Sequence, residues 1–157
     1  MQILKEQYKL IKSAREALLN YCDIIEYVDL TRQIESFNKA SMQYLILHIA
    51  NTYLFWLKGF AFKQKFEYFR EDDIHSTDDL RKAFDKVNKL VDKFLNTYTD
   101  HNATIEGEIF WLKKNMTFTV LELLTHVMTH EFHHKGQIMT MSRIIGYTPP
   151  DADVIRF

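Results

Sequence analysis

Residues 119–146 read TVLELLTHVMTHEFHHKGQIMTMSRIIG, and this stretch decides the fold. It opens with Thr119 three residues before Glu122, the spacing of a capping box, in which each side chain accepts a hydrogen bond from the other residue's backbone amide. Gly146 follows the last apolar position, where a helix commonly ends in the left-handed conformation. A helix over residues 119–145 is about 40 Å long at ~1.5 Å per residue, so it spans a whole helical bundle.

Three further helices are predicted from apolar residues that recur at steps of three and four, over residues 2–26, 38–59 and 76–98. Residues 102–115 contain a glycine and alternate only loosely between apolar and polar, so an extended or irregular connection is expected there. Four glycines and two prolines in 157 residues leave few helix breakers. The prediction is a single all-α domain over residues 1–157, an antiparallel four-helix bundle with an irregular connection before the last helix.

Composition excludes several classes of function. Lysine and arginine total 20 against 21 aspartate and glutamate, a balance that gives no attraction to nucleic acid or to an anionic membrane surface. The lone cysteine, Cys22, rules out an intramolecular disulfide and a cysteine-rich zinc site, and it suits a reducing compartment. The charged N-terminal residues do not resemble a signal peptide, and polar residues interrupt the apolar stretch 44–62. We therefore expect a cytoplasmic protein with a small-molecule substrate and no nucleic-acid or membrane partner.

Four of the seven histidines fall within nine consecutive residues of the last helix. His126, His130 and His134 form a row, because residues four apart on an α-helix lie about 40° apart around its axis. Glu131 and Lys135 fall on the other side, where they are expected to form a solvent-exposed pair. The histidine row is thus predicted to face the interior, where imidazoles need partners because burial of an unpaired polar group costs free energy.

The pair His130 and His134 presents two imidazoles to one point, a spacing that recurs in helical zinc sites. His48, at the edge of the apolar stripe of the second helix, is the natural third ligand, because facing helices of bundles build metal sites in this way. Three imidazoles leave a coordination position open, as in a catalytic site. The set suits a divalent ion, zinc or nickel first and iron or manganese as well. The alternative is that each histidine is a hydrogen-bonded core residue, and for His126 or His133 taken singly this interpretation is the stronger one.

Side chains that share the metal-facing side of these two helices are candidates for a pocket or for support of the ligands. The alternative is that the aromatic ones are simply core residues, which is the more common case. No nucleophile-elbow sequence and no glycine-rich phosphate loop accompany them. The candidates are Tyr44, Thr52, Phe55, His126, His133 and Gln137.

The residues also resemble a known family. His48 on a long second helix, the stretch HVMTHEFHHKGQI at residues 126–138 and the ending GYTPPDAD at residues 146–153 are similar to the DinB-like family over essentially the whole chain. The resemblance implies a four-helix bundle with a divalent metal held by His48, His130 and His134, the same three residues that the spacing selects.

The resemblance also leaves His126 and His133 outside the ligand set, as neighbours or packing residues. One departure is visible, since the family often has arginine directly after the final ligand, where this chain has Lys135. Lysine keeps the charge but loses the planar fork of donors, which affects bidentate contacts and not metal binding.

Members of that family that are similar to this chain are, where characterised, metal-dependent transferases of low-molecular-weight thiols. The resemblance therefore implies an enzyme that activates such a thiol for attack on a small electrophile, with a homodimer as the expected assembly. Two alternatives stay open at the level of sequence: a metal-dependent hydrolase of a small amide or ester, and a non-catalytic, metal-stabilised bundle that acts as an interaction protein. No general base can be named from the sequence.

Overall fold

The computed structural model describes residues 1–156, which fold into five α-helices and one two-stranded antiparallel sheet. Two 3₁₀ turns, Glu35–Phe37 and Glu71–Asp73, lie in the connections. Within this range no helix combines the length and the apolar character needed to cross a membrane. The elements are α1 (Gln2–Cys22), α2 (Tyr27–Leu30), α3 (Met42–Tyr53), a π-helical continuation of α3 (Leu54–Ala61), α4 (Thr77–Thr97), β1 (Thr104–Ile109), β2 (Lys114–Thr119) and α5 (Val120–Ile144).

The predicted starts of the last two long helices are confirmed by their caps. The hydroxyl of Ser76 accepts a hydrogen bond from the amide of Asp79 at the start of α4. At the start of α5, Thr119 and Glu122 form the complete capping box, with the Thr119 amide donating to the Glu122 carboxylate at 2.7 Å. These contacts satisfy backbone donors that the first helical turn leaves free.

The second predicted helix starts later than expected and changes character before it ends. Asn38 and Lys39 both have positive φ angles, 54° and 61°, so the chain turns here and α3 begins only after Ser41. The Ser41 hydroxyl accepts from the amide of Tyr44 and caps the helix. Beyond Tyr53 the helix widens into the π-helical segment, a form that recurs at functional sites.

The prediction of an all-α four-helix bundle with an irregular connection is wrong. β1 pairs with β2 in an antiparallel hairpin whose register runs from Thr104 opposite Thr119 to Ile109 opposite Lys114. Buried and exposed residues alternate strictly along β1, which is the period of a strand with one face on the core. The weak alternation in the sequence was therefore a strand signal, and the fold is mostly helical with a hairpin and a fifth, short helix.

Gly107 allows the hairpin to lie directly against the π-helical segment. A Cβ atom at this position would be 2.8 Å from the ring of Phe60, too close for any side chain. Ile105 and Ile109 flank the glycine on the same face and are buried in the core. The hairpin is thus a packed wall of the molecule that starts where α4 ends and leads into α5.

The face of α5 that is buried is not the one that the sequence predicts. Glu131 and Lys135 are 2% and 4% exposed, so the expectation of a solvent-exposed pair is wrong. Both groups have partners elsewhere in the chain. The Lys135 ammonium donates to the carbonyl of Ala152 and lies 3.5 Å from the ring centroid of Phe132.

Glu131 is buried because Arg15 of α1 neutralises it. The guanidinium of Arg15 donates from Nε to one carboxylate oxygen and from Nη2 to the other, each at 2.7 Å, the bidentate geometry of a strong ion pair. Tyr53 of α3 donates to the same carboxylate at 2.7 Å, and Arg15 Nη1 donates to the Asn88 carbonyl oxygen of α4 at 2.8 Å. One polar cluster therefore joins the four long helices.

Removing one charge of this pair should destabilise the protein strongly. Glu131→Gln leaves the buried Arg15 guanidinium without a counter-charge, and breaking a buried pair from one side costs about 3–5 kcal/mol. We expect the free energy of unfolding, measured by urea denaturation with far-ultraviolet circular dichroism, to fall by about that amount. Glu108→Gln, which alters an exposed carboxylate on β1, should change it by less than about 0.5 kcal/mol.

The double variant Arg15→Met with Glu131→Leu removes both charges together. It should lose less stability than Glu131→Gln alone, because no unpaired charge remains inside. Equal stability of Glu131→Gln and the wild type would show that the pair does not organise the core.

Candidate metal centre

Three histidines from two helices converge on one point. His48 of α3 and His130 and His134 of α5 each offer a ring nitrogen, and these three atoms lie within 4.8 Å of one another. The Nε2 atoms of His48 and His130 are 3.0 Å apart. The ring centroid of His134 lies 4.8 Å from that of His48 and 4.4 Å from that of His130. The three residues that the sequence selects are thus neighbours in the fold.

The spacing fits ligands of a common ion. A histidine nitrogen lies about 2.0–2.1 Å from a transition metal, so two such nitrogens are about 3.4 Å apart at a tetrahedral angle and about 3.0 Å apart at a right angle. The observed 3.0 Å between the Nε2 atoms of His48 and His130 is within this range. Two facing ring nitrogens otherwise need a shared proton, because two lone pairs repel each other.

Gln137 fixes the orientation of His134. The Nδ1–H group of His134 donates to Oε1 of Gln137 at 2.6 Å, which leaves Nε2 of that ring as the unprotonated nitrogen. Hydrogen bonds of this kind to the outer nitrogen set the tautomer of histidine ligands and raise their basicity. Gln137, a candidate pocket residue from the sequence, therefore supports the triad directly.

The surroundings keep the imidazoles neutral. Burial, together with the neighbouring rings of His134 and His48, lowers the pKa of His130 to about 4. Burial also lowers the pKa values of His48, His126 and His134. At neutral pH these rings carry free lone pairs, the form that binds a metal.

Two cavities meet at the triad. The first, here the aromatic cavity, has a volume of about 640 Å³ and borders His48, His126 and His130. Six of its other eleven lining residues are aromatic: Tyr44, Phe55, Trp56, Tyr68, Phe69 and Trp111. The rest include Arg70, whose guanidinium is paired with Asp73 at 3.2 Å.

The second, here the polar cavity, has a volume of about 800 Å³ and borders His48, His134 and Gln137. Its wall is formed mainly by the segment before α3. The lining side chains of that segment are largely polar: Thr31, Gln33, Ser36, Asn38, Lys39 and Ser41.

Most of the other candidate pocket residues line these cavities. Tyr44 stacks on His48 with an interplanar angle of 11° and lines both cavities. Thr52 and Phe55 line the aromatic cavity, and the Thr52 hydroxyl donates to the backbone carbonyl one turn back.

His126 packs against the ring of Trp56 on the wall of the aromatic cavity. His133 is exposed and contacts only the edge of the site, through its ring beside that of His134.

Several residues at the site have no signal in the sequence. Glu71 lines both cavities and, among the residues described, is the only carboxylate that lines either of them. It lies in the 3₁₀ turn before α4, a segment with no periodic pattern. Trp111 and Trp56 reach the aromatic cavity from the hairpin tip and the π-helical segment, so only a prediction of the hairpin could have placed Trp111.

The geometry defines a class: a mostly helical protein with three neutral histidines, from two helices, gathered at the junction of two cavities. The family model for the DinB family matches residues 1–157, the whole chain. The chain therefore belongs to the DinB family, and the resemblance seen in the sequence is confirmed. A search of curated proteins found no match.

The depressed histidine pKa values predict an acid-sensitive metal-free protein. Unfolded histidines bind protons near pH 6.5, whereas His130 in the folded protein does so only near pH 4. The unfolded state therefore holds more protons between these values, and stability should be full above about pH 6.5 and be lost as the pH falls towards 4. Urea denaturation at a series of pH values, with a chelator present, measures this loss.

His130→Gln should flatten the dependence of stability on pH in that window, because it removes the most depressed group. His101→Gln, a change in an exposed loop residue, is the matched control and should leave the slope unaltered. An identical slope in wild type and His130→Gln would contradict the interpretation.

Proposed function

We propose that the protein is a divalent-metal-dependent transferase that activates a low-molecular-weight thiol for attack on a small electrophile. The observation that carries this proposal is the three-histidine group at the junction of two cavities. Within residues 1–156 the group contains three donors, so an ion held by them keeps coordination positions for a reactant. Three imidazoles suit zinc or nickel, and family membership fits a metal-binding protein.

The thiol must come from outside the chain. Cys22 is the single cysteine, and its side chain is buried in the core. Burial raises the pKa of its thiol to about 12, so it stays protonated and cannot serve as the nucleophile. A small thiol that enters one of the cavities is the remaining source of sulfur.

In this proposal His48, His130 and His134 would hold the ion, and Gln137 keeps the His134 ring in place. A divalent ion bound there would supply acidity, since such an ion lowers the pKa of a thiol or water that it coordinates. Glu71 accepts the thiol proton. The sulfur then attacks the electrophilic carbon, a carbon–sulfur bond forms, and the bond to the leaving group breaks with its electron pair. The Tyr44 ring lies parallel to that of His48, with the two centroids 6.1 Å apart, and so borders the site on this side.

Metal content tests whether the three histidines bind a divalent ion. Protein purified without a histidine tag should carry about one divalent ion per chain, measured by elemental analysis, because three imidazoles form one site. His48→Ala, His130→Ala and His134→Ala should each lose most of it. His133→Ala, on the same helix but exposed, should keep it. Wild-type protein without stoichiometric metal, or triad variants that retain it, would contradict the site.

Turnover tests whether the protein transfers a thiol to an electrophile. Zinc- or nickel-loaded protein should form a thioether from a small thiol and an alkylating agent such as monobromobimane, and a chelator should abolish the reaction. Glu71→Gln should lower kcat and alter its dependence on pH while metal content stays unchanged, because it removes the proton acceptor. Asp72→Asn alters the neighbouring exposed carboxylate, which lines neither cavity, and is the control. Ester cleavage without thiol would instead indicate a hydrolase.

A further inference from the structure

We infer that the two cavities bind the two reactants separately: the polar cavity binds a hydrophilic thiol with a charged group, and the aromatic cavity binds an electrophile with an apolar, aromatic body. This inference rests on the proposed thiol transfer and adds the chemical class of each reactant and its place. It follows from the contrast between the mainly aromatic lining of one cavity and the mainly polar lining of the other, which meet at Tyr44, His48 and Glu71.

The aromatic cavity is built to surround a flat apolar group. The ring of Phe55 has its centroid 5.0 Å from that of Trp56 and 4.7 Å from that of Trp111. Aromatic pairs at such distances attract through their ring edges and faces, and they gain a further partner when an aromatic ligand enters. Trp111 remains 55% exposed at the hairpin tip, so it keeps free area for that contact.

The polar cavity offers hydrogen bonds and one ammonium group. Lys39 and Asn38 line it from a turn in which both residues adopt left-handed backbone without being glycine. Such conformations cost free energy and persist where the surrounding structure holds them. Here the turn is closed by the amide of Ile34, which donates to the carbonyl of Ala40 at 3.1 Å. The Lys39 ammonium fits a carboxylate on the thiol.

The shared edge places the reacting atoms together. Tyr44, His48 and Glu71 line both cavities, whereas His130 lines only the aromatic one and His134 only the polar one. A sulfur that arrives beside His134 and a carbon that arrives beside His130 therefore meet at the triad from opposite sides. The carbon–sulfur bond forms there, the leaving group departs with its electron pair, and Glu71 takes the thiol proton.

Tryptophan fluorescence tests the aromatic side without turnover, because the only two tryptophans of the chain, Trp56 and Trp111, both line that cavity. The probe is 4-nitrobenzyl alcohol, a nitroaromatic quencher that lacks a leaving group. We expect saturable quenching in the wild type and, in Trp111→Ala, binding weaker by about three- to tenfold. Leu112→Ala, exposed at the same hairpin tip but outside the lining, should bind as the wild type does.

Calorimetry on zinc-loaded protein tests the polar side with 3-mercaptopropionate and its neutral counterpart 2-mercaptoethanol. Lys39→Gln should weaken binding of the carboxylate thiol by about two- to fivefold, as expected for an exposed charge pair, and should leave the neutral thiol unaffected. Lys63→Gln is the matched control, since Lys63 is also exposed and left-handed but lines neither cavity.

The assignment of the cavities predicts a crossed pattern, in which Trp111→Ala spares the thiols and Lys39→Gln spares the nitroaromatic probe. Competition between the two ligands, or equal effects of both variants on both ligands, would overturn it. Independent binding of both ligands, with no thioether formed in the separate monobromobimane assay, would overturn the proposed transfer and leave the assignment intact. Competition between the two ligands, with thioether formed in the monobromobimane assay, would overturn the assignment and leave the proposed transfer intact.

Discussion

The buried pair of Arg15 and Glu131 is the contact on which the arrangement of the helices depends. Two charges in a core are tolerated only when geometry and further hydrogen bonds compensate their loss of water. Here the bidentate contact is completed by Tyr53 on the carboxylate and by Asn88 on the guanidinium. Sliding or rotating any of the four long helices would leave one of these groups unpaired, so the cluster fixes their mutual register.

This constraint also positions the three-histidine group. Glu131 follows His130 directly, and successive residues on a helix are about 100° apart. The orientation of α5 that pairs Glu131 with Arg15 therefore also directs His130 towards α3. Tyr53 ties α3 to the same carboxylate, five residues after His48. The triad is therefore held by two rigid helices whose packing is set by the ion pair beneath it, which is the support that a well-ordered site needs.

The sequence predicted those features that depend on interactions between residues close in the chain. The helix start at residue 76, the capping box at Thr119 and the i,i+4 pair His130 and His134 depend on neighbours in the chain. The structure contains both helix starts and brings the two histidines together. The buried face of α5 was mistaken because Glu131 is neutralised by a residue 116 positions away, which no local pattern reveals. The hairpin was missed because its alternation is short and is interrupted by Gly107, whose role appears only when Phe60 lies against it.

The three-histidine group and the walls of the two cavities differ in the same way. The three histidine nitrogens lie on regular helices. The wall of the polar cavity comes mainly from the turn at residues 31–41, whereas the aromatic cavity is bordered by α3 and its π-helical continuation and is completed by residues 68–71 and Trp111. Connecting segments tolerate substitution far better than packed helices, because they bury little and carry few core contacts. Changes in these segments can therefore alter which molecules fit beside His130 or His134 without displacing the nitrogens themselves. In this fold, packed helices hold the three histidines, and connecting segments complete the walls of the cavities beside them.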